Sequence, residues 1–162
     1  ITGSGATATG QLEFADAGGG DNTPAFMVYN SSDQSLSSNT FTKATLGGEV
    51  WDTDNAFASS KFTVPSGEAG KYHFTAGIHI QDHTSGRTQV AFYKNGSQVA
   101  NDTGSGVLRQ VHSGTDTTKL FMSWNGNLAV GDYIELYCEQ TGGGTEHIKA
   151  GTWLSGFKLI GV

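Results

Sequence analysis

Residues 61–80 read KFTVPSGEAGKYHFTAGIHI, and the second half of this stretch decides the fold. From Gly70 the chain alternates: Tyr72, Phe74, Ala76, Ile78 and Ile80 fall on one side, and His73, Thr75, Gly77, His79 and Gln81 on the other. A period of two, rich in aromatic and β-branched residues, predicts a long strand with one apolar face. Pro65 closes the preceding extended run, Phe62 to Val64, because proline lacks the N–H a ladder needs. Gly67 and Gly70 then permit the reversal between the two runs. The pattern is that of a central strand in a β-sandwich.

The same punctuation recurs on either side. Residues 1–24 are small, polar and Gly-rich and read as a stalk-end linker, followed by a head domain at 25–162. AFMVYN (25–30) predicts strand A, a polar loop runs to Asn39, and 40–57 hold short extended pieces broken by Gly47 and Gly48. Strand B ends at 61–64 and strand C is the alternating run. QDHTSGR (81–87) predicts a turn into strand D (87–94), and Asn95-Gly96 predicts a two-residue type I′ hairpin. Strand E is divided between 97–101 and 107–112, followed by F (119–124), G (133–140) and H (152–160). No stretch carries apolar residues at helical spacing over three turns. The reading is all-β, a two-sheet sandwich of eight strands plus fragments.

Composition agrees and excludes whole classes of function. Glycine fills 24 of 162 positions, about twice the ordinary ~7%, and charged residues make up 15% against an ordinary ~25%. Nine Phe, five Tyr and three Trp supply a core that a disordered polar chain would lack. A net charge of −6 with two arginines leaves no footprint for nucleic acid. No apolar run approaches the ~18 residues of a membrane-inserting helix. Cys138 is the sole cysteine, so no internal disulfide forms, and its alternating surroundings predict a buried thiol. A start at Ile1 points to a fragment or a processed form.

Four motifs in order resemble one family. FTVP…GKYHF (62–74), Lys94-Asn95-Gly96, Leu128…Gly131-Asp132-Tyr133-Ile134 and Trp153…Ser155-Gly156-Phe157 resemble the corresponding motifs of the complement C1q globular domain and its microbial and phage relatives. The match covers about residues 25–160 and departs at 57–60 and at Glu68-Ala69, where the pattern is altered. The resemblance implies a jelly roll of about ten strands like that of tumour necrosis factor, packed as a homotrimer at the tip of a stalk. PAFMVYNSSDQ…WDTDNAF looks more like the phage and bacterial branch. A tail fibre or surface appendage of a virion, or an extracellular surface protein, is the location this implies. Phe62, Tyr72, Phe74, Ile78, Trp124, Ile134, Trp153 and Phe157 are the expected core or trimer-packing residues.

Strand counting places the working end. Eight strands alternating up and down put both chain ends at one pole, with the A–B, C–D, E–F and G–H connections at the other. Those distal connections are long and polar, whereas VPSGEAG, NG and NLAVGD at the chain-end pole are economical. Loops on a rigid scaffold carry recognition. The distal set offers Asp82, His83, Arg87, His112, Asp116, Glu146, His147 and Lys149 as ligand contacts, with Trp51 as an aromatic surface for sugar. In a trimer each appears three times, so weak contacts add.

Asp82, His83 and Asp116 are candidate ligands for a divalent cation, Ca2+ at the trimer apex, although no single element carries metal-ligand spacing. Asp52-Thr53-Asp54-Asn55 starts like a calcium loop, but Ala56 and Phe57 break it. His73 and His79 share the non-core side of strand C and would cluster if that side lines a three-fold axis. Signatures of hydrolases, P-loops and zinc proteases are absent. The expected function is a trimeric head that binds a cell-surface glycan or protein receptor without catalysis. The alternatives are a trimerisation knob that caps a fibre and a jelly-roll polysaccharide-processing enzyme.

Overall fold

A computed structural model describes residues 22–99 and 107–160, with backbone alone at 81–85, 107 and 112–117. Most of the expected linker at 1–24 lies outside the described residues. The described chain forms strands β1 (Ala25–Tyr29), β2 (Gln34–Leu36), β3 (Thr42–Lys43), β4 (Gly48–Asp52), β5 (Phe57–Ala58) and β6 (Lys61–Thr63). It continues through β7 (Gly70–Lys94), β8 (Ser97–Gln98), β9 (Val107–Leu128), β10 (Tyr133–Gln140), β11 (Glu146–Ile148) and β12 (Trp153–Lys158), with no helix among the described residues.

Strand C forms as its alternation predicts, but strands C and D are one strand. β7 runs 25 residues, and its antiparallel ladder with β9 extends from Gly70 opposite Leu128 to Ala91 opposite Val107. The expected turn at 81–87 and the expected loop at 112–118 therefore pair with each other. Their backbone groups satisfy one another although neither segment carries an apolar period. The register shifts between Ile80 and His83 and again between His83 and Ser85, and Gly86 takes a φ of 86°. Shifts of this kind bend a ladder, and here they carry the ribbon round the corner of the sandwich.

Each arm of the ribbon belongs to a different sheet. The first arm of β7, residues 70–80, lies between β12 and the 118–128 part of β9, with β1 and β4 continuing the sheet beyond β12. The second arm, 88–94, lies between β10 and the 107–110 part of β9, with β3 and β6 on the far side of β10. At the corner, β11 joins β7 to β2, two strands formed where the sequence predicts loops. Leu36 and Ile148, both fully buried, draw those segments in.

Between the sheets the inward residues of β7 meet those of β1, β6, β9 and β10. Phe26, Phe62, Tyr72, Phe74, Ile78 and Ile134 are buried, as the alternation predicts. Trp124 is buried with them and stacks on Phe74 at 5.8 Å. Trp153 and Phe157 lie on the opposite side of their sheet and are only half-buried. Cys138 is fully buried, and burial pushes its thiol up to about 12, so it is a packing residue rather than a nucleophile.

The chain-end pole is held by the very motifs that carried the resemblance. Asp132 accepts hydrogen bonds from Lys94 Nζ (2.7 Å), Asn95 Nδ2 (2.7 Å) and the Ala129 N–H (2.8 Å), while Asn95 Oδ1 accepts from the Tyr133 N–H (2.9 Å). These donors hold the Asp132 carboxyl down at about 2, the lysine bond first. A depressed carboxylate stabilises the fold above its unfolded value near 3.8, and that contribution disappears as pH falls through about 2. Asp132→Ala is expected to cost about 1–3 kcal/mol, because it leaves three donors without their acceptor. Urea titration at pH 7 measures the loss, and the variant's stability should vary less than wild type's between pH 4 and 2.

Candidate interaction surfaces

Strand polarity brings the start of β1 and the end of β12 to one pole and the long connections to the other. The Lys158 N–H bonds the Pro24 carbonyl at 3.1 Å and the Leu159 N–H bonds the Lys71 carbonyl at 2.8 Å. At the far pole, the crown, Gln81 pairs with His147, His83 with Asp116, and Gly86 with His112, while the Arg87 N–H donates to Thr141 Oγ1 at 3.0 Å. The backbone thus brings the predicted distal residues into one region. The side chains of Asp82, His83, His112 and Asp116 lie outside the described residues.

Two predicted contacts need correction. Glu146 is buried, 4% exposed, because it lies on the same side of β11 as core residue Ile148 and so cannot face a ligand. Trp51 is exposed but does not belong to the crown. β4 runs antiparallel to β1, so Trp51 lies opposite Met27, in the row that continues through Ser155, Thr75 and Ser123. Of the others, His147 is half-buried, Arg87 is half-buried and 3.7 Å from Glu139, and Lys149 pairs with Asp33.

Among the described residues no group of three His, Cys, Asp or Glu is placed to hold a metal ion. Asp52 caps its own turn, accepting from the Ala56 N–H at 3.0 Å and the Phe57 N–H at 2.8 Å. Its carboxylate is committed to backbone donors.

The surface that sequence reading missed is the outward side of the first sheet. One row crosses five strands: Gly48 on β4, Tyr29 on β1, Trp153 on β12, Gly77 on β7 and Phe121 on β9. The two glycines are seats for rings. A Cβ at Gly77 would fall 2.3 Å from Trp153 Nε1, and one at Gly48 would fall 2.5 Å from the Tyr29 ring. Any side chain there would lift the aromatic off the sheet. Phe121 is 67% exposed, Trp51 48% and Tyr29 38%, so this side presents large apolar groups to solvent. The signal for it was the strand F run KLFMSW, where Phe121 stands opposite Leu120 and Met122 and makes both faces apolar.

Toward the crown this row borders a hollow of about 220 Å3 lined by Gly77, His79, Lys119, Phe121, Gly151 and Trp153. Burial holds the His79 imidazole below its ordinary value, with the cations Lys119 and Lys149 adding to the effect and Asp33 opposing it. His73, nearer the chain-end pole, bonds Asn125 Oδ1 through Nδ1 at 2.7 Å and packs on the Phe157 ring at 5.4 Å.

The outward side of the second sheet is different in kind. Tyr93 stacks on Tyr137 at 4.0 Å with Phe41 beside it at 6.0 Å, and charges around them are paired, Lys43 with Glu135 at 3.1 Å and Lys61 over the Tyr133 ring at 4.6 Å. Its aromatics pack on one another rather than standing free.

No family model matches the chain, and no curated protein matches it in sequence. Solved structures do match in shape. The globular domain of zebrafish complement 1qA superposes with a TM-score of 0.61 at 16% identity, covering 84% of this chain and 96% of that one. The Eiger TNF of S. frugiperda gives 0.57 at 12% identity, covering 86% and 95%. The fold is a C1q/TNF-like jelly roll. The sequence motifs and the three-dimensional match agree on the fold.

Proposed function

We propose that this chain is a trimeric binding head: three copies meet through the Tyr29–Trp153–Phe121 side of the first sheet, and the crown contacts a cell-surface glycan or protein receptor. The observation that carries this reading is the exposed aromatic row seated on Gly48 and Gly77. Several large aromatic groups exposed on one side of a sheet support an interaction surface, because water at exposed rings is released when a partner covers them. The C1q/TNF-like fold supports a three-fold arrangement. The crown then points away from the chain ends, the arrangement a head at the end of a fibre needs. A tail fibre, virion appendage or extracellular surface protein is the setting proposed for it. No described helix is long and apolar enough to cross a membrane. Recognition is reversible and involves no covalent chemistry.

Light scattering tests the assembly: the expected mass is three times the 17.0 kDa of one chain. A glycan array and whole-cell adhesion test the binding. Arg87→Ala combined with His147→Ala should keep the trimer mass and lower adhesion at least about ten-fold, since two crown contacts are lost three times over. Unchanged adhesion would leave the capping knob as the better reading. Release of saccharide from a capsular polysaccharide would favour the enzyme instead.

A further inference from the structure

We propose that the aromatic face is also an acid-operated release, in which protonation of His79 at the contact between copies separates the protomers. This rests on the reading that copies of the chain meet through that face, and the experiment below distinguishes the two.

His79 lies on the outward side of β7, directly opposite Lys119 on β9, in the hollow it shares with Phe121 and Trp153. Its main chain is fixed on both sides, the N–H bonded to Thr152 Oγ1 at 3.1 Å and the carbonyl accepting from the Lys149 N–H at 2.8 Å. Among the described residues the charged neighbours are few and unbalanced. β9 contributes Lys119, the segment after β11 contributes Lys149, and the segment after β1 contributes Asp33. Asp33 is already engaged, pairing with Lys149 Nζ and accepting from the Ala150 N–H at 3.0 Å. β12 brings uncharged Trp153, preceded by Thr152, and of the two titratable groups of β11 Glu146 is buried on the Ile148 side while His147 acts on Asp33. A proton on His79 therefore adds a third cation beside one committed carboxylate.

Assembly sharpens this. A copy seated over Phe121 and Trp153 removes water from the hollow and disfavours the imidazolium further. The sign follows from linkage. The assembled protein binds fewer protons at His79 than the separated one, so association is strongest above the free protomer's titration range and weakens as pH falls through it. Three copies protonate together, so the dissociation constant should rise by up to about a thousand-fold per pH unit below that range. His73 serves as the internal control. Its partners, Asn125 and Phe157, are neutral, and its Nδ1 can keep donating to Asn125 Oδ1 when the ring is charged.

Sedimentation velocity of the full chain from pH 8 to pH 5 tests the proposal, with tryptophan fluorescence reporting the fold. Wild type and His73→Gln should pass from three-chain to one-chain mass without unfolding, and His79→Gln should stay assembled at pH 5. Lys119→Gln keeps the switch but removes one of the cations that hold the imidazole down, so the free protomer's titration range rises and the midpoint should move to higher pH. A wild type still trimeric at pH 5, a His79→Gln variant that separates at the wild-type pH, or a Lys119→Gln midpoint that does not move would overturn the proposal. Each of these outcomes leaves the assembly reading intact. A wild type already one-chain at pH 8 would instead overturn the assembly reading, and this proposal with it.

Discussion

Phe121→Lys is expected to convert a three-chain particle into single protomers while leaving each protomer folded. The side chain is 67% exposed on β9, with Gly77 of β7 opposite, so its replacement removes little from the core of one chain. In the assembly the same ring is an aromatic anchor, and such anchors are worth about 2 kcal/mol or more at each contact. Three contacts per particle, each also given a buried ammonium, raise the dissociation constant by at least about four orders of magnitude. Light scattering at micromolar concentration reads the mass, and a thermal melt reads the fold. Val111→Lys is the matched control, since Val111 is 74% exposed but belongs to the second-sheet end of the ribbon, opposite Arg87. If Phe121→Lys remains a trimer, the first sheet's outward side is not where the copies meet.

Phe74→Ala acts on the other side of the same sheet and should be the most destabilising single truncation. The Phe74 ring lies 5.8–6.3 Å from the rings of Phe26, Phe62, Tyr72, Phe92 and Trp124, which join β1, β6, both arms of β7 and β9. Emptying that position removes the centre of the aromatic cluster, and five large rings cannot all relax into the space. The expected cost is about 3–5 kcal/mol, seen as a lower urea midpoint. Phe74→Leu, which keeps most of the volume, should recover more than half of it. A cost under about 1 kcal/mol for the alanine variant would show that the sheets do not close on this residue.

The sequence carried the strand pattern well wherever a strand had one wet face. β7's first arm, β10 and β12 alternate cleanly because one side of each meets the core. The turn residues were legible for a similar reason: Asn95 and Asp132 are fixed by geometry, and the structure joins them in one hydrogen-bonded cluster. The corner of the ribbon was not legible, since 81–87 and 112–117 pair through their backbones, which no side-chain period records. Glu146 looked like a loop acid because three glycines precede it, and only the burial of Leu36 and Ile148 reveals that β11 is a strand. Trp51 was misplaced because 48–52 carries no clean alternation and was read with the distal connection, whereas it forms β4, antiparallel to β1, with Val50 bulged between Glu49 and Trp51. Phe121 was not legible as a surface residue, because Leu120 and Met122 on either side of it make the strand apolar on both faces.

The single bent ladder that β7 shares with β9 has a consequence for how the molecule opens. Both sheets are built on the same pair of strands, so the two cannot separate without breaking the ladder where the ribbon turns the corner. Amide protons in the two arms should therefore exchange with deuterium at closely similar free energies, as one cooperative unit. Peeling one layer from the other is not an available intermediate.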